Sequence, residues 1–150
     1  MDKFKVIIAG SRDFTDLRLM QIKMDILLKR FRNEDARRLM GTTLYDGVEI
    51  VSGTARGADK TGEKYAESRY MEAKLFPADW DKHGRSAGYK RNEQMADYAD
   101  ALVAFWDGRS RGTKHMIDIA KSKGIRVRVV RYDEYYDEHE KQAMHHYLGD

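Results

Sequence analysis

The most informative segment of the chain is Val48-Glu49-Ile50-Val51-Ser52-Gly53-Thr54-Ala55-Arg56-Gly57-Ala58-Asp59. Residues 48–52 form an apolar run of strand length. Glycines interrupt the sequence at 53 and 57, and a helix-like segment follows near 58–71. A strand, a glycine-rich turn and a helix in this order are typical of a parallel α/β sheet.

The same order of elements recurs on both sides of this segment. Further strands are predicted at 4–9, 73–76, 101–106 and 125–129. Further helices are predicted at 16–31, 87–98 and 113–123, the first with Thr15 or Asp16 as its N-cap. The alternation predicts an α/β fold with helices on both faces of a mostly parallel, five-stranded sheet. Right-handed crossovers and the glycine-rich loops after the first and fourth strands predict the strand order 3-2-1-4-5.

Composition limits the kinds of protein that this chain can be. A length of 150 residues suits one domain, predicted at 1–131, with a long connection near 32–46 and a helical tail at 132–150. Because the chain has no cysteine, it can form no disulfide and has no thiolate chemistry. No long apolar segment is present, so we expect a cytoplasmic protein without membrane attachment.

Charge and histidine spacing narrow the choice of ligand. The net charge is +3 and the basic residues are scattered, which favours a local anion site over an extended nucleic-acid surface. The tail contains His139, His145 and His146, but a helical metal pair needs a spacing of four, and residue 143 is alanine. We therefore predict no metal site and interpret the tail as a solvated or oligomer-contact helix.

Distinctive loops follow the first four predicted strands. Because the carboxyl ends of parallel strands lie at one edge of a sheet, these loops are expected to meet there. Glycine lets backbone N–H groups approach an anion, helix starts add free N–H groups, and hydroxyl and guanidinium groups donate to phosphate oxygens. We therefore predict one site for a phosphorylated, nucleotide-like ligand. The candidate residues are Gly10, Ser11, Arg12, Gly53, Thr54, Ala55, Arg56, Gly57, Asp59, Trp80, Arg91, Asn92, Trp106, Asp107, Gly108, Ser110, Gly112 and Thr113.

Each candidate also has a simpler interpretation. A single glycine turn can be a tight connection or a helix cap, and a single arginine can belong to a surface ion pair. The aromatic residues Trp80, Tyr89 and Trp106 can stack a nucleotide base or pack at the rim of the core. Asp59 can contact a ribose hydroxyl, but the preferred prediction is that it caps its helix and orients Arg56. The ligand hypothesis rests on the convergence of several loops at one edge.

Six motifs occur in order along the chain. They are Gly10-Ser11-Arg12, Ser52-Gly53-x-Ala55-Arg56-Gly57-Ala58-Asp59, Pro77-Ala78-Asp79-Trp80, Ala87-Gly88-x-x-Arg91-Asn92-x-x-Met95, Ala99-Asp100 and Phe105-Trp106-Asp107-Gly108-x-Ser110-x-Gly112-Thr113. Together they resemble the YspA-like branch of the SLOG superfamily over about residues 4–130. The resemblance implies a Rossmann-like three-layer αβα sandwich that binds nucleotides or ADP-ribose-like ligands. It also implies an origin in a phage or mobile element, and related folds imply a homodimer or higher homo-oligomer.

Two better-known relatives of that branch indicate which functions have to be considered. DprA proteins bind single-stranded DNA and carry similar Gly-Ser-Arg and Ser-Gly-x-Ala-Arg-Gly-x-Asp segments. The LOG phosphoribohydrolases cleave the N-glycosidic bond of a nucleoside monophosphate, and their Arg-Lys-x-x-Met segment is comparable to residues 91–95. Their Gly-Thr-x-x-Glu segment is comparable to residues 112–116, where the glutamate falls on Met116. Methionine can neither stabilise a cationic sugar nor activate water, so classical phosphoribohydrolase activity is not expected.

Three functions remain in view from the sequence. The preferred hypothesis is a module that senses or sequesters a phosphorylated nucleotide derivative, with no certain cofactor. The first alternative is an enzyme that cleaves the glycosidic or phosphate linkage of such a ligand, with Asp59 or Asp107 replacing the missing glutamate. The second is a DprA-like binder of single-stranded DNA, which the modest net charge and the absence of a contiguous Lys/Arg stripe disfavour.

Overall fold

A sheet of five parallel strands forms the centre of the computed structural model, which describes residues 2–148. The strand order β3-β2-β1-β4-β5 confirms the predicted order and fold class. The strands are β1 (Phe4–Gly10), β2 (Val48–Ser52), β3 (Glu72–Leu75), β4 (Ala101–Trp106) and β5 (Arg126–Arg131). The helices are α1 (Leu17–Leu27), α2 (Glu34–Met40), α3 (Ala58–Ser68), α4 (Trp80–His83), α5 (Ala87–Tyr98), α6 (Arg111–Ser122) and α7 (Tyr132–Leu148). Within residues 2–148, no helix combines the length and the apolar character needed to cross a membrane.

Apolar layers cover both faces of the sheet. On one face, Ile8 packs in a cluster with Met20 of α1 and Tyr65 of α3. On the other face, Ile7 packs in a cluster with Met116 of α6. Neighbouring residues of a strand point to opposite faces, so the continuous apolar run of β1 supplies both layers. This arrangement is the three-layer sandwich that the sequence predicted.

The position of β1 determines where the loops converge. It lies between β2 and β4, with Ile7 paired to Val51 on one side and to Leu102 on the other. Gly10, the last residue of β1, pairs with Phe105 near the end of β4. The chain winds outward in opposite directions from this pair of strands, which makes their carboxyl ends the switch point where ligands bind in open α/β sheets.

The first helix is shorter than the sequence predicted. Asp16 is its N-cap, as expected, and accepts a hydrogen bond of 2.9 Å from the Leu19 N–H. The α-helix ends at Leu27, however, and a 3₁₀ turn follows over Lys29–Phe31. Phe31 stacks on Phe4 of β1 at 5.0 Å between ring centroids. The apolar pattern runs beyond the helix because Phe31 also packs on the sheet.

The segment 32–46, predicted as a connection, contains the short helix α2. Asn33 caps this helix by accepting from the Ala36 N–H at 2.9 Å, and Gly41 ends it with a left-handed φ of 68°. Further along, the Tyr45 hydroxyl donates to Asp25 of α1 at 2.8 Å. This contact anchors the segment to the body of the domain, which periodicity alone could not reveal.

The tail forms α7, and its first turns pack near the start of α1. The Tyr132 ring lies 4.9 Å from Phe14, and the Tyr136 hydroxyl donates to Asp16 at 2.6 Å. Histidine 139 is exposed, and its Nδ1 lies 2.8 Å from the Tyr135 carbonyl. The side chains of His145 and His146 lie outside the described residues.

Candidate functional site

A cleft of about 370 Å³ opens at the carboxyl ends of β1 and β4. The starts of α3 and α6 and the length of α5 enclose it, so all the predicted loops contribute to one edge of the sheet. Ten of the candidate residues line the cleft: Gly10, Arg12, Ala55, Asp59, Trp80, Arg91, Asn92, Ser110, Gly112 and Thr113. The others that line it are Ala9, Arg85, Gly88, Tyr89, Met95 and Met116.

Close approach of three loops requires glycine at position 10. A Cβ on Gly10 would fall on the Phe105 carbonyl oxygen and within 2.9 Å of the Ala58 methyl group. Backbone hydrogen bonds fix the approach, since the Ser11 N–H donates to the Phe105 carbonyl at 3.0 Å and the Ala58 N–H donates to the Ser11 carbonyl at 3.1 Å. The first and fourth strand loops therefore meet, as predicted.

The predicted hydroxyl groups are mostly engaged within the protein. Ser11 is 2% exposed, and its Oγ accepts from the Asp107 N–H at 3.2 Å. Thr113 donates to the Ser110 Oγ at 3.0 Å. Thr54 lies outside the cleft and adopts a left-handed φ of 65°, with its N–H donating to Ser52. Of the four hydroxyls proposed to bind phosphate, only Ser110 and Thr113 line the cleft.

The loop after β4 organises the start of α6. The Asp107 carboxylate accepts from the N–H groups of Arg109 and Ser110, both at 2.8 Å. Although burial raises its pKa, these backbone hydrogen bonds outweigh that effect and lower the pKa of Asp107. Asp107 holds the turn and does not line the cleft. The N–H groups at Gly112 and Thr113 belong to the first turn of α6, where helix geometry leaves them without intrahelical acceptors.

Arg91 of α5 forms one wall of the cleft. Its Nη1 donates to the Gly53 carbonyl, and its Nε donates to Asn92 Oδ1 at 3.1 Å. Burial lowers the pKa of Arg91, Asp59 opposes that change, and the positive charge of Arg12 lowers the pKa further. Arginine stays charged despite such shifts. The cleft therefore holds two guanidinium groups close enough to repel each other.

Asp59 has a different role from the one preferred on sequence grounds. The N-cap of α3 is Gly57, and Asp59 lies in the first turn, where its Oδ2 accepts from the Ala55 N–H at 3.1 Å. Asp59 is 5% exposed, and the arginine whose charge acts on its carboxylate is Arg91 instead of Arg56. Burial raises the pKa of Asp59 to about 6.

Glycine at position 53 allows Asp59 and Arg91 to come together. A Cβ there would lie 2.8 Å from Asp59 Oδ2 and 2.9 Å from Arg91 Nη1. Both groups thus occupy the space above one Cα atom. Gly57 meets a similar restriction, since it has a φ of 82° and its Cβ would collide with the Arg12 backbone. These two glycines shape the site without lining it.

Several predicted ligand contacts lie outside the cleft. Arg56 is exposed and does not line it. The Trp106 indole donates to the Ser110 carbonyl at 3.0 Å and lies against the Arg131 guanidinium, which is the packing role. The candidates that do not line the cleft are Ser11, Gly53, Thr54, Arg56, Gly57, Trp106, Asp107 and Gly108.

Arg85 and His115 were not among the candidate residues, and Tyr89 was considered only as one of three aromatic residues that could stack a base. Arg85 and Tyr89 line the cleft, and the Tyr89 ring stacks on His115 of α6 at 4.2 Å. Asn92 Nδ2 lies 3.1 Å from His115 Nδ1 and, being a donor only, makes that nitrogen an acceptor. Desolvation lowers the pKa of His115, in agreement with a neutral ring. Helical spacing from Gly112 on to His115 is the signal that could have found the histidine.

The floor of the cleft is apolar. Met95 and Met116 line it and are each 1% exposed. Position 116, where the resemblance places a glutamate in the phosphoribohydrolases, therefore faces the site but carries no charge. Asp59 is the one carboxylate among the residues that line the cleft within the described part of the chain.

Comparisons with known proteins agree with this architecture. Gene 61 protein of Mycobacterium phage D29 is 40% identical over 87 residues, which span 54% of this chain and 70% of that protein. Among solved structures, DNA processing protein A from Helicobacter pylori, studied for its single-stranded DNA binding mode, superposes with a TM-score of 0.53 at 17% identity. That match covers 85% of this chain and 65% of the other, and it shows a shared fold.

A family model identifies the group of proteins to which the chain is related. The model of the YspA, cpYpsA-related SLOG family matches residues 4–83. The matched segment runs from β1 to α4 and contains Gly10, Arg12, Asp59 and Trp80 of the cleft. Since the match spans more than half of the 150 residues, the chain belongs to the YspA, cpYpsA-related SLOG family.

Proposed function

We propose that the cleft binds a phosphorylated, nucleotide-derived small molecule, and that the protein senses or sequesters this ligand. The observation that carries the proposal is the meeting of Arg12, Arg91 and the first turn of α6 in one cleft at the switch point of the sheet. Helix N-termini and guanidinium groups both favour anions, and together they match a phosphate group.

Repulsion between the two arginines supports an anion between them. Burial is the main cause of the lowered pKa of Arg91 and Asp59 opposes it, but the charge of Arg12 lowers the pKa further, so the two arginines repel each other. A phosphate placed beside both would remove this repulsion and would accept their N–H groups. Its remaining oxygens would meet the free N–H groups at Gly112 and Thr113.

The rim of the cleft suits a flat organic group. Trp80 is 56% exposed and Tyr89 is 50% exposed, and both line the opening. Large aromatic rings left this exposed are available to stack on a base. A volume of about 370 Å³ lies in the range of small-molecule sites. Met116 stands where the phosphoribohydrolases carry a glutamate, and its apolar side chain on the floor of the cleft favours binding over glycosidic cleavage of their type.

Isothermal titration calorimetry with AMP and with ADP-ribose tests this function. Arg12 is exposed and makes no hydrogen bond within the described residues, so Arg12→Ala should leave the fold intact. Losing one charged hydrogen bond should weaken binding by about 10- to 100-fold. The controls are Arg38→Ala, an exposed arginine of α2, and Arg56→Ala, which lies outside the cleft. Wild-type protein that binds neither nucleotide, or equal weakening by all three variants, would refute the proposal.

A second candidate function is binding of single-stranded DNA. The exposed rings of Trp80 and Tyr89, with Arg85 beside them at the rim, resemble a stacking platform for successive bases. The similar fold of the Helicobacter pylori protein is compatible with it. Fluorescence anisotropy of a labelled oligo-dT distinguishes the two functions. Strand binding should weaken steeply between 50 and 200 mM salt, whereas a small-molecule module should show no saturable binding of the oligonucleotide.

A further inference from the structure

Asp59 is an unusual group to find in a cleft that attracts anions. Its carboxylate is 5% exposed and lines the same cleft as Arg12 and Arg91. A buried carboxylate is costly unless its oxygens are paired. Within residues 2–148, one hydrogen bond reaches this carboxylate, from the Ala55 N–H to Oδ2. The other oxygen, Oδ1, has no hydrogen-bond donor among the described residues.

Neighbouring groups do not satisfy the second oxygen. Arg91 directs its hydrogen bonds to the Gly53 carbonyl and to Asn92 instead of to Asp59. Glu63, one turn further along α3, accepts from the Ser52 hydroxyl at 2.6 Å and so offers no donor. Burial raises the pKa of Asp59 to about 6, and the hydrogen bond from Ala55 and the charge of Arg91 offset only part of that effect. Asp59 lines the cleft, and its Oδ1 is not among the fully buried side-chain atoms without a partner, so this oxygen can be reached by a ligand.

An acceptor-only group complements a hydroxyl donor. An ionised carboxylate is negatively charged and has no proton to donate. It therefore repels a phosphate group but accepts hydrogen bonds well from O–H groups. If the phosphate of a ligand lies beside Arg12, Arg91 and the start of α6, as proposed above, an adjacent sugar presents hydroxyl groups to the remaining polar wall. Asp59 is the acceptor in that wall.

We propose that Asp59 accepts a hydrogen bond from the ribose hydroxyl groups of the ligand, so that the cleft selects ribonucleotides over 2′- and 3′-deoxyribonucleotides. This inference rests on the proposed function of the cleft. A site that hydrogen-bonds a hydroxyl rejects the analogue lacking it, because the carboxylate is then left buried and unpaired. The same selectivity would disfavour DNA as a ligand.

The test compares the affinities of AMP, 2′-deoxy-AMP and 3′-deoxy-AMP for the full chain by calorimetry. Wild-type protein should bind AMP about 10- to 100-fold more tightly than at least one deoxy analogue. Asp59→Ala removes both carboxylate oxygens and adds no other polar group that could reach the hydroxyl, so the ratio of affinities should fall to within about 3-fold of unity. A ratio of affinities does not change when a variant merely loses active protein.

Glu63→Gln is the matched control, since Glu63 is a partly buried carboxylate of the same helix that does not line the cleft. Its ribose-to-deoxyribose ratio should equal that of the wild type. If the wild type binds AMP and both deoxy analogues equally, the role of Asp59 is refuted while nucleotide binding stands. If the ratio survives in Asp59→Ala, another residue contacts the sugar and the assignment is wrong. If no nucleotide binds at all, the proposed function fails and this inference fails with it.

Discussion

The buried Asp59 carboxylate makes a prediction about stability that needs no ligand. We expect Asp59→Asn to stabilise the fold at neutral and alkaline pH. Burial raises the pKa of Asp59 from 3.8 to about 6, so its charged form is disfavoured in the folded protein. Asparagine has nearly the same shape and can still accept from the Ala55 N–H, but it carries no charge to desolvate.

The size of the effect follows from linkage between protonation and folding. The folded protein holds the Asp59 proton to higher pH than the unfolded chain does, so the stability associated with this group is fully present below pH 3.8 and is lost as the pH rises through about 6. A pKa shift of about 2 units means that the wild-type protein has lost roughly 3 kcal/mol of stability at pH 8. At pH 5 the same relation gives a smaller loss of stability, roughly 1.6 kcal/mol. The variant lacks this dependence, so its advantage should grow by about 1.4 kcal/mol between pH 5 and pH 8.

Urea unfolding followed by far-ultraviolet circular dichroism at pH 5 and pH 8 measures this difference. All other ionisable groups are present in both proteins, so their contributions cancel in the comparison. Any pH-independent cost of the amide also cancels when the two pH values are compared. An advantage of the variant that stays constant or shrinks from pH 5 to pH 8 would refute a desolvated Asp59.

Two further predictions concern the anchor of segment 32–46 and the floor of the cleft. Asp25 accepts hydrogen bonds from the Tyr45 and Tyr65 hydroxyls and from Arg69. Asp25→Ala leaves these donors without an acceptor, so it should lower the free energy of unfolding, measured in urea at pH 7, by about 2–4 kcal/mol. A loss below about 0.5 kcal/mol would show that the network is dispensable. Wild-type protein incubated with AMP should release no adenine by chromatography, because Met116 supplies no charge to a developing oxocarbenium ion, and a missing charge partner costs on the order of 100-fold or more in rate. Brisk release that Arg91→Ala abolishes would instead make the protein an enzyme, and release only from Met116→Glu would show that one carboxylate separates the two activities.

Local signals were sufficient to predict the architecture. The apolar runs at 4–9 and 101–106 and the glycines that follow them predicted the central strands and their meeting at a switch point. The right-handed crossover rule then predicted the strand order, because it allows few orders for five strands that alternate with helices. The helix α2 was missed because its stability comes from a cap at Asn33 and a long-range contact at Tyr45, neither of which creates periodicity.

For the residues of the site, too, the sequence and the tertiary structure determined different things. Sequence alone determined which loops reach the cleft, because the carboxyl ends of parallel strands must share an edge, and it thereby named Gly10, Arg91 and Asp59. Only the tertiary structure decided which side chains face inward. The rotation of α5 against α6 brings Tyr89 to the rim and stacks it on His115, while the path of the loop after β2 leaves Arg56 in solvent. Such orientations depend on packing between elements distant in sequence, which residue type and spacing do not encode.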